Sequence, residues 1–213
     1  MKKTLLFVIV TVCCLQISLF AQKSRVGVFG GLSVSNMDGQ IDGLNVKGSS
    51  LTGYSFGMLL DAPLGKTKFS FQPTIQYAQK GKTIEKSNDS KTYLALRYAE
   101  LLLNIMYNWR GKNTDVFIGV GPAIAQHLPS LKVIKSGQVK AETGIKFGDD
   151  PIISDYRGLD YGAHFIGGLK CRKGYFLSLN YTLGIRNILP GDVPDKLTNG
   201  CFTVKLGILI NNK

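Results

Sequence analysis

Hydrophobic and polar residues alternate with a period of two along most of the chain. The clearest example lies between positions 68 and 79, where bulky side chains alternate with small or uncharged polar ones: Phe69, Phe71, Pro73, Ile75 and Tyr77 against Ser70, Gln72, Thr74, Gln76 and Ala78. Successive side chains of a β-strand point to opposite faces, so the pattern predicts a strand with one apolar face. Similar segments give eight predicted strands: 25–35, 51–62, 68–79, 93–109, 115–127, 159–171, 175–187 and 199–210.

The connections between these strands alternate in length. Residues 63–67, 110–114 and 172–174 are short connections, whereas 36–50, 80–92, 128–158 and 188–198 are long. An even number of strands with short and long connections at opposite ends is typical of bacterial outer-membrane barrels. The sequence therefore predicts an all-β fold, an eight-stranded antiparallel up-and-down transmembrane β-barrel in the outer membrane. Its short turns and both termini are expected in the periplasm, and its long loops outside the cell.

A soluble lipocalin-like barrel would share this strand pattern, but the composition of the two faces favours a membrane protein. A soluble barrel would show water a face rich in Lys and Glu. The polar face of the seventh predicted strand instead carries small uncharged groups such as Ser178 and Asn180, which suit a narrow lumen. The opposite face of the same strand is apolar throughout, as lipid contact requires. Tyr107, Trp109 and Tyr175, at the short-turn end, are expected to join an aromatic girdle at the membrane interface.

The N-terminal segment is typical of a cleaved secretory signal. Lys2 and Lys3 precede an apolar run that closes with the small residue Ala21. Residues 1–21 are therefore predicted to be removed, which leaves residues 22–213 as one barrel domain. Loss of the two lysines lowers the net charge from +12 to +10. The scattered positive charge of an exported protein favours lipid head-group phosphates, and not nucleic acid, as partners.

Two cysteines and two prolines test the predicted arrangement of strands. Cys171 is expected at the short-turn end and Cys201 at the long-loop end. A separation close to the ~25 Å apolar band is too large for a disulfide, so both thiols are expected to be free.

Pro73 and Pro122 lie inside predicted strands, where each removes a ladder hydrogen bond. A β-bulge is therefore expected at each proline.

Several short motifs follow one another in a distinctive order: Phe71-Gln72-Pro73, Tyr77-Ala78-Gln79-Lys80-Gly81, Tyr98-Ala99-Glu100, Gly121-Pro122 and Tyr181-Thr182-Leu183-Gly184-Ile185-Arg186-Asn187-Ile188. In this order and spacing, the chain resembles the PorT-like outer-membrane β-barrel family from about residue 25 to residue 210. The resemblance implies an eight-stranded barrel of the small OmpA and OmpX type, most relatives of which have no assigned activity. A part in secretion does not follow from family membership alone.

Charged residues at inward positions define a candidate polar network in the lumen, formed by Arg25, Glu100, Asp160, His164, Lys170, Arg186 and Lys205. The interior of an eight-stranded barrel is just wide enough to fill with side chains, so these groups are expected to act as a structural plug. Glu100 is expected to pair with at least one lumen cation, since Arg186 and Lys205 face the lumen from the last two strands and an unpaired charge is costly in a closed lumen. A small-solute or ion pore is the alternative interpretation.

Candidates for chemistry are few. The two histidines, His127 and His164, stand apart without metal-ligand spacing, and no catalytic residue, metal or cofactor is predicted. A lipid-modifying barrel enzyme is the second alternative, because three residues that could assist His127 follow it in the long loop: Ser130, Ser154 and Asp155. The favoured function is a structural or interaction role without catalysis. Expected partners are outer-membrane lipids and envelope or secretion proteins, and a monomer is the favoured oligomeric state.

Overall fold

The computed structural model describes residues 24–41, 43–45, 48–87, 90–136, 139–191 and 194–211. The predicted signal peptide, residues 1–21, lies outside the described residues. The described chain forms ten strands: β1 Arg25–Ile41, β2 Leu44–Asn45, β3 Ser49–Pro63, β4 Phe69–Ser87, β5 Ser90–Trp109, β6 Thr114–Ser136, β7 Val139–Gly144, β8 Leu159–Cys171, β9 Tyr175–Gly184 and β10 Lys196–Asn211. In these ranges no helix has the length and hydropathy needed to cross a bilayer.

Eight of the strands form a closed antiparallel barrel. Neighbours follow the order β1-β3-β4-β5-β6-β8-β9-β10, and β10 pairs with β1 to close the ring. The closing pair keeps one register from Arg25 opposite Asn211 to Gln40 opposite Lys196. Closure gives each spanning strand two partners, which a bilayer demands because it offers no water to unpaired backbone groups. The predicted eight-stranded transmembrane barrel is confirmed.

The two ends of the barrel differ in their connections. At the end called here the turn end, residues 64–68, 110–113 and 172–174 join consecutive strands. Gly174 has a φ of 92°, which suits the tight three-residue turn. The opposite end, called the loop end, carries the longer connections together with the short strands β2 and β7, which pair with β1 and β6.

The strands project further at the loop end than predicted. β4 and β5 remain paired out to Ser87 opposite Ser90, and β6 continues to Ser136 as a hairpin with β7. The prediction of loops over 80–92 and over the first part of 128–158 is therefore wrong. Beyond the bilayer both faces of a strand can meet water, so the apolar alternation that marks a spanning strand fades while the backbone pairing continues.

Side chains alternate between lipid and lumen, as predicted. Along β10, Val204 and Leu206 are 40% and 64% exposed, whereas Thr203 and Lys205 are buried. Apolar side chains that are exposed on the outer wall of a membrane barrel contact lipid. At the turn end, the Tyr107 ring packs edge-on against Trp109, with centroids 4.7 Å apart. This pair forms part of the expected aromatic girdle.

Pro73 and Pro122 lie in strand interiors without the expected bulges. Pro73 pairs in register with Leu103 of β5, and Pro122 pairs in register with Ala163 of β8. The register also stays the same on both sides of Pro73 in the pairing of β4 with β3, and on both sides of Pro122 in the pairing of β6 with β5. The prediction of bulges here is wrong. A proline removes one hydrogen bond but adds no residue, so a long ladder tolerates it without a shift.

A bulge occurs instead in β6 near the loop end. The register of β5 and β6 shifts by one residue where Pro129 and Ser130 stand opposite Leu96. The Ser130 hydroxyl donates a hydrogen bond of 2.7 Å to the Leu128 carbonyl and accepts one of 2.9 Å from the Arg97 amide. The hydroxyl therefore satisfies backbone groups that the bulge removes from the ladder.

Cys171 and Cys201 are both free, as predicted. Cys171 is exposed at the turn end, where it pairs with Thr114, the first residue of β6. Cys201 is buried in the inner wall and pairs with Ser35, well along β1 towards the loop end. The two thiols thus lie towards opposite ends of the barrel.

Candidate functional site: the filled lumen

A polar layer crosses the lumen around Glu100, which is 2% exposed. Its Oε1 lies 2.5 Å from Lys80 Nζ, and its Oε2 accepts a hydrogen bond of 2.5 Å from Gln76 Nε2. Lys205 Nζ donates to Gln76 Oε1 at 2.7 Å. Glu100 therefore pairs with a lumen cation, as predicted, but the cation is Lys80 rather than Arg186 or Lys205. The sequence places Lys80 in a loop, so its role was missed.

The predicted residues Asp160 and His164 extend this polar layer. His164 Nδ1 lies 2.8 Å from Asn104 Oδ1, and Asp160 Oδ2 accepts a hydrogen bond of 3.1 Å from Asn199 Nδ2. The Asn199 amide also donates to the Tyr98 hydroxyl at 2.7 Å. All five side chains are at most 4% exposed. Polar groups that are buried away from water need hydrogen-bond partners, and these side chains supply part of that requirement for one another.

A second charged cluster occupies the lumen at the turn end. Asp61 is 1% exposed and accepts hydrogen bonds from Arg25 Nη2 at 2.8 Å and from Lys170 Nζ at 3.0 Å. Lys170 also donates to Asn108 Oδ1 at 3.2 Å. Asp61 is absent from the predicted network. Residues two apart on a strand share a face, and Asp61 follows Leu59, which faces the lumen, by two residues. This spacing is a signal that could have identified Asp61.

An apolar layer separates the two charged clusters. It consists of four buried side chains that pack together: Phe29, Leu59, Phe176 and Leu209. Gly207 makes room for this packing, because a Cβ atom there would lie 2.5 Å from the Phe176 ring. The gap beside the layer has a volume of only about 10 Å³, which is close to the minimum for one water molecule. Little room for water is therefore left beside this layer.

The loop end of the lumen is also closed by apolar side chains. A buried cluster from the inner wall and the connection after β9 contains Met37, Leu94, Leu96, Tyr98, Ala125, Ile188 and Leu197. Ile145, Phe147, Tyr156 and Leu189 pack against it from the loops. Burial raises the pKa of the Tyr156 phenol to about 12, so the hydroxyl stays neutral at ordinary pH. Residues 145–156 thus fold over the loop end of the barrel and form a cap. They belong to the long connection 128–158, which the sequence predicts outside the cell.

His127 belongs to the packing of this cap. Its ring lies between those of Tyr98 and Phe147, with centroid distances of 4.2 and 4.3 Å. Neither ring nitrogen hydrogen-bonds to any described residue, and so His127 makes no such bond to the three candidate partners, Ser130, Ser154 and Asp155. Among the described residues no group of three or more His, Cys, Asp and Glu is placed to hold a metal. Within the described part of the chain, the His127 ring is therefore held by aromatic packing and not by a hydrogen bond to a candidate catalytic partner.

Arg186 lies at the rim of the barrel, outside the lumen network. β9 ends at Gly184, so the inward alternation does not reach position 186. The Arg186 guanidinium lies 5.4 Å from the centre of the Tyr161 ring, and its Nη1 donates to the Leu159 carbonyl at 3.0 Å. Its Nη2 is 3.9 Å from Asp149 Oδ1. The assignment of Arg186 to the lumen is wrong, because the strand ends two residues before it.

Solved barrels with similar folds share little sequence with this chain. The outer membrane enzyme PagL is 12% identical and covers 85% of this chain and 99% of its own, with a TM-score of 0.47. Neisserial surface protein A is 10% identical, with coverages of 86% and 96% and a TM-score of 0.46. Ail, the attachment invasion locus protein of Yersinia pestis, is 9% identical, with coverages of 89% and 99% and a TM-score of 0.43. No role for this chain follows from these similarities.

No curated protein sequence matches the chain. Residues 20–189, however, match the family described as Outer membrane protein beta-barrel domain. This match covers most of the barrel, from β1 to the end of β9. It agrees with the closed ring of eight strands, the lipid-facing apolar wall and the filled interior. The chain therefore belongs to the outer membrane protein beta-barrel domain family.

Proposed function

We propose that this outer-membrane barrel has a structural or interaction role, and that its lumen conducts neither ions nor solutes. The filled lumen is the observation that carries the proposal. Two apolar layers lie across the interior, one beside the Asp61 cluster and one beneath the loop-end cap. Between them, Glu100 is ion-paired with Lys80 and hydrogen-bonded to Gln76. A conducting pore would need an open, water-filled passage, and the close packing of these layers and of the polar side chains between them supports a lumen without one.

The proposed orientation places the turn end in the periplasm and the loop end outside the cell. The short turns and longer loops support this orientation, because bacterial barrels carry their longer loops on the extracellular side. In the same orientation, Ile152 and Ile153 are exposed on the extracellular side, at 90% and 64%. Adjacent apolar side chains exposed to water favour contact with another molecule. An envelope or secretion protein is the proposed class of partner, in keeping with the resemblance of the chain to PorT-like barrels.

Catalysis is not part of the proposed role. The enclosed His127 ring and the commitment of the Ser130 hydroxyl to backbone groups support this part of the proposal. Expression of the protein should leave the lipid composition of the outer membrane unchanged. A new lipid species that disappears with His127→Ala, but persists with the matched substitution His164→Ala, would favour the enzyme alternative.

Planar-bilayer recording with the purified protein tests the filled lumen directly. We expect no stepwise current, and no swelling of proteoliposomes in small sugars. Heat-modifiable migration on a denaturing gel, measured on the same proteoliposomes, must first show that the barrel is folded. Reproducible unitary steps from folded protein would contradict the proposal and favour the pore.

A further inference from the structure

The three turns at the turn end of the barrel are basic. Each turn carries two basic residues and no acidic one: Lys66 and Lys68 in 64–68, Arg110 and Lys112 in 110–113, and Arg172 and Lys173 in 172–174. All six side chains are exposed, and together they are called here the basic rim. At the loop end, by contrast, cations and carboxylates are mixed, as in the ion pair of Lys140 with Glu142. The turn end therefore concentrates charge of one sign.

Carboxylates near the basic rim already have other partners. Asp61 accepts hydrogen bonds from Arg25 at 2.8 Å and from Lys170 at 3.0 Å. Asp115 Oδ1 accepts a hydrogen bond of 3.2 Å from the Gly111 amide. Within the described part of the chain, no residue of the basic rim forms an ion pair. The positive charge of the rim is therefore available to another molecule.

Uncharged groups contact two of the rim cations. Arg110 Nη2 donates to the Thr67 carbonyl at 3.4 Å, and this bond links two of the turns. Lys68 Nζ lies 6.0 Å from the centre of the Tyr107 ring. Both contacts orient a cation without cancelling its charge. A side chain that is already oriented loses less conformational entropy when it binds an anion.

A small pocket opens inside the basic rim. Side chains from six strands of the ring and from two turns line it, and those that are charged are Arg25, Lys68, Arg110, Lys170, Asp61 and Asp115. Side chains from so many strands can meet only inside the ring, so the pocket lies at the mouth of the lumen. Its volume is about 50 Å³. One water molecule occupies ~30 Å³ in the liquid, so the pocket has room for a small polar group such as a carboxylate.

The position of the pocket distinguishes between two classes of anionic partner. Lipid head groups surround a barrel and reach its rim only from outside, at the level of the girdle that includes Tyr107 and Trp109. The pocket lies within the ring, so an anion that enters it comes from the water beyond the turns. A chain with several carboxylates can fill the pocket and contact more than one turn at once. Several linked weak contacts give a much higher affinity than one.

We propose that the basic rim is a docking surface for an acidic protein segment. One carboxylate of the segment enters the pocket lined by Lys68 and Arg110, and others pair with the remaining cations of the turns. The location of this partner in the periplasm rests on the proposed orientation of the barrel, whereas the binding does not. A conducting lumen would overturn the proposed function without changing the binding of an acidic segment to the rim.

Fluorescence anisotropy with the full barrel in an uncharged detergent tests this surface. The probe is a labelled peptide of alternating Glu and Gly, and its matched control has Gln in place of Glu. We expect the folded barrel to bind the Glu peptide, to lose affinity as salt rises, and to bind the Gln peptide poorly. The double variant Lys68→Gln/Arg110→Gln should lower the affinity for the Glu peptide by about tenfold or more, the loss expected for one charge-assisted hydrogen bond.

Lys132→Gln/Lys135→Gln is the matched control, because it removes the same charge from the hairpin of β6 and β7 at the loop end. Affinity should be unchanged in this variant, and heat modifiability should confirm that both double variants are folded. Equal loss in the two variants would overturn the site in favour of general charge attraction. No binding of the Glu peptide by the folded wild-type barrel at low salt would overturn it outright. Peptide binding that is lost in phosphatidylglycerol nanodiscs, but kept in phosphatidylcholine nanodiscs, would assign the rim to lipid head groups and overturn the protein assignment.

Discussion

Replacing Glu100 by Gln removes one negative charge from the polar layer while keeping nearly the same shape. In the wild-type barrel the Lys80 side chain is 4% exposed and its Nζ lies 2.5 Å from Glu100 Oε1. Gln76 links the same carboxylate to Lys205 through two hydrogen bonds. The Glu100→Gln variant would therefore leave two buried ammonium groups without their shared carboxylate.

The expected loss of stability follows from the burial of this pair. Breaking a buried ion pair by removing one partner typically costs ~3 to 5 kcal/mol, because the remaining charge stays desolvated. A solvated pair costs only ~0 to 1 kcal/mol. Two cations depend on Glu100, so we expect the upper part of the buried range. The double variant Glu100→Leu/Lys80→Leu removes both charges of the direct pair and should recover much of the lost stability.

Reversible unfolding in urea, with the barrel in detergent or lipid vesicles, measures these free energies. Glu142→Gln is the matched control, since Glu142 forms an ion pair of the same 2.5 Å length with Lys140 outside the barrel. The hydrogen bond and the charge of Lys140 lower the pKa of Glu142, but both side chains are about half exposed. We expect no measurable change in the control.

A Glu100→Gln barrel as stable as the wild type would refute this reasoning. It would show that water reaches the polar layer and screens Lys80, as in an open pore. A large loss that the double variant does not reduce would also count against the argument, because the cost would then come from packing rather than from an unpaired charge.

Three further predictions concern groups outside the Glu100 network. Cys171 should react with a maleimide in the folded barrel while Cys201 reacts only after unfolding, and a disulfide found under non-reducing conditions would contradict the strand arrangement. Ser130→Ala should lower the free energy of unfolding by about 1 to 2 kcal/mol, because two backbone groups at the bulge lose their partner, whereas Ser130→Thr should stay near wild type. The pKa of Tyr156 is raised from 10.0 to about 12, so its contribution to stability is complete below pH 10 and lost as the pH rises towards 12. Tyr156→Phe should abolish that loss in a pH series of unfolding curves, and an unchanged pH dependence would contradict it.

The alternation of side chains determined the fold of this barrel. A spanning strand must show apolar groups to lipid on one side and fit a narrow lumen on the other, so every second residue is constrained. That constraint is local. In the structure Glu100, Asp160, His164 and Lys205 are buried on the inner wall, and Arg25 pairs with the buried Asp61. The sequence pattern also predicted two free cysteines, because strand direction alone puts them towards opposite ends.

Only the tertiary structure decided which of these groups meet. The partner of Glu100 depends on the pairing of β4 with β5, which continues past the point where the apolar pattern stops and so brings Lys80 into the lumen. β9 ends at Gly184, so Arg186 lies at the rim. A bulge at Pro129 and Ser130 shifts the register of β5 and β6, and the sequence pattern does not indicate this shift. Sequence alternation constrains the direction of each side chain, because that is a property of one strand. Contacts across the lumen depend on register, strand length and loop packing, which are properties of the closed barrel.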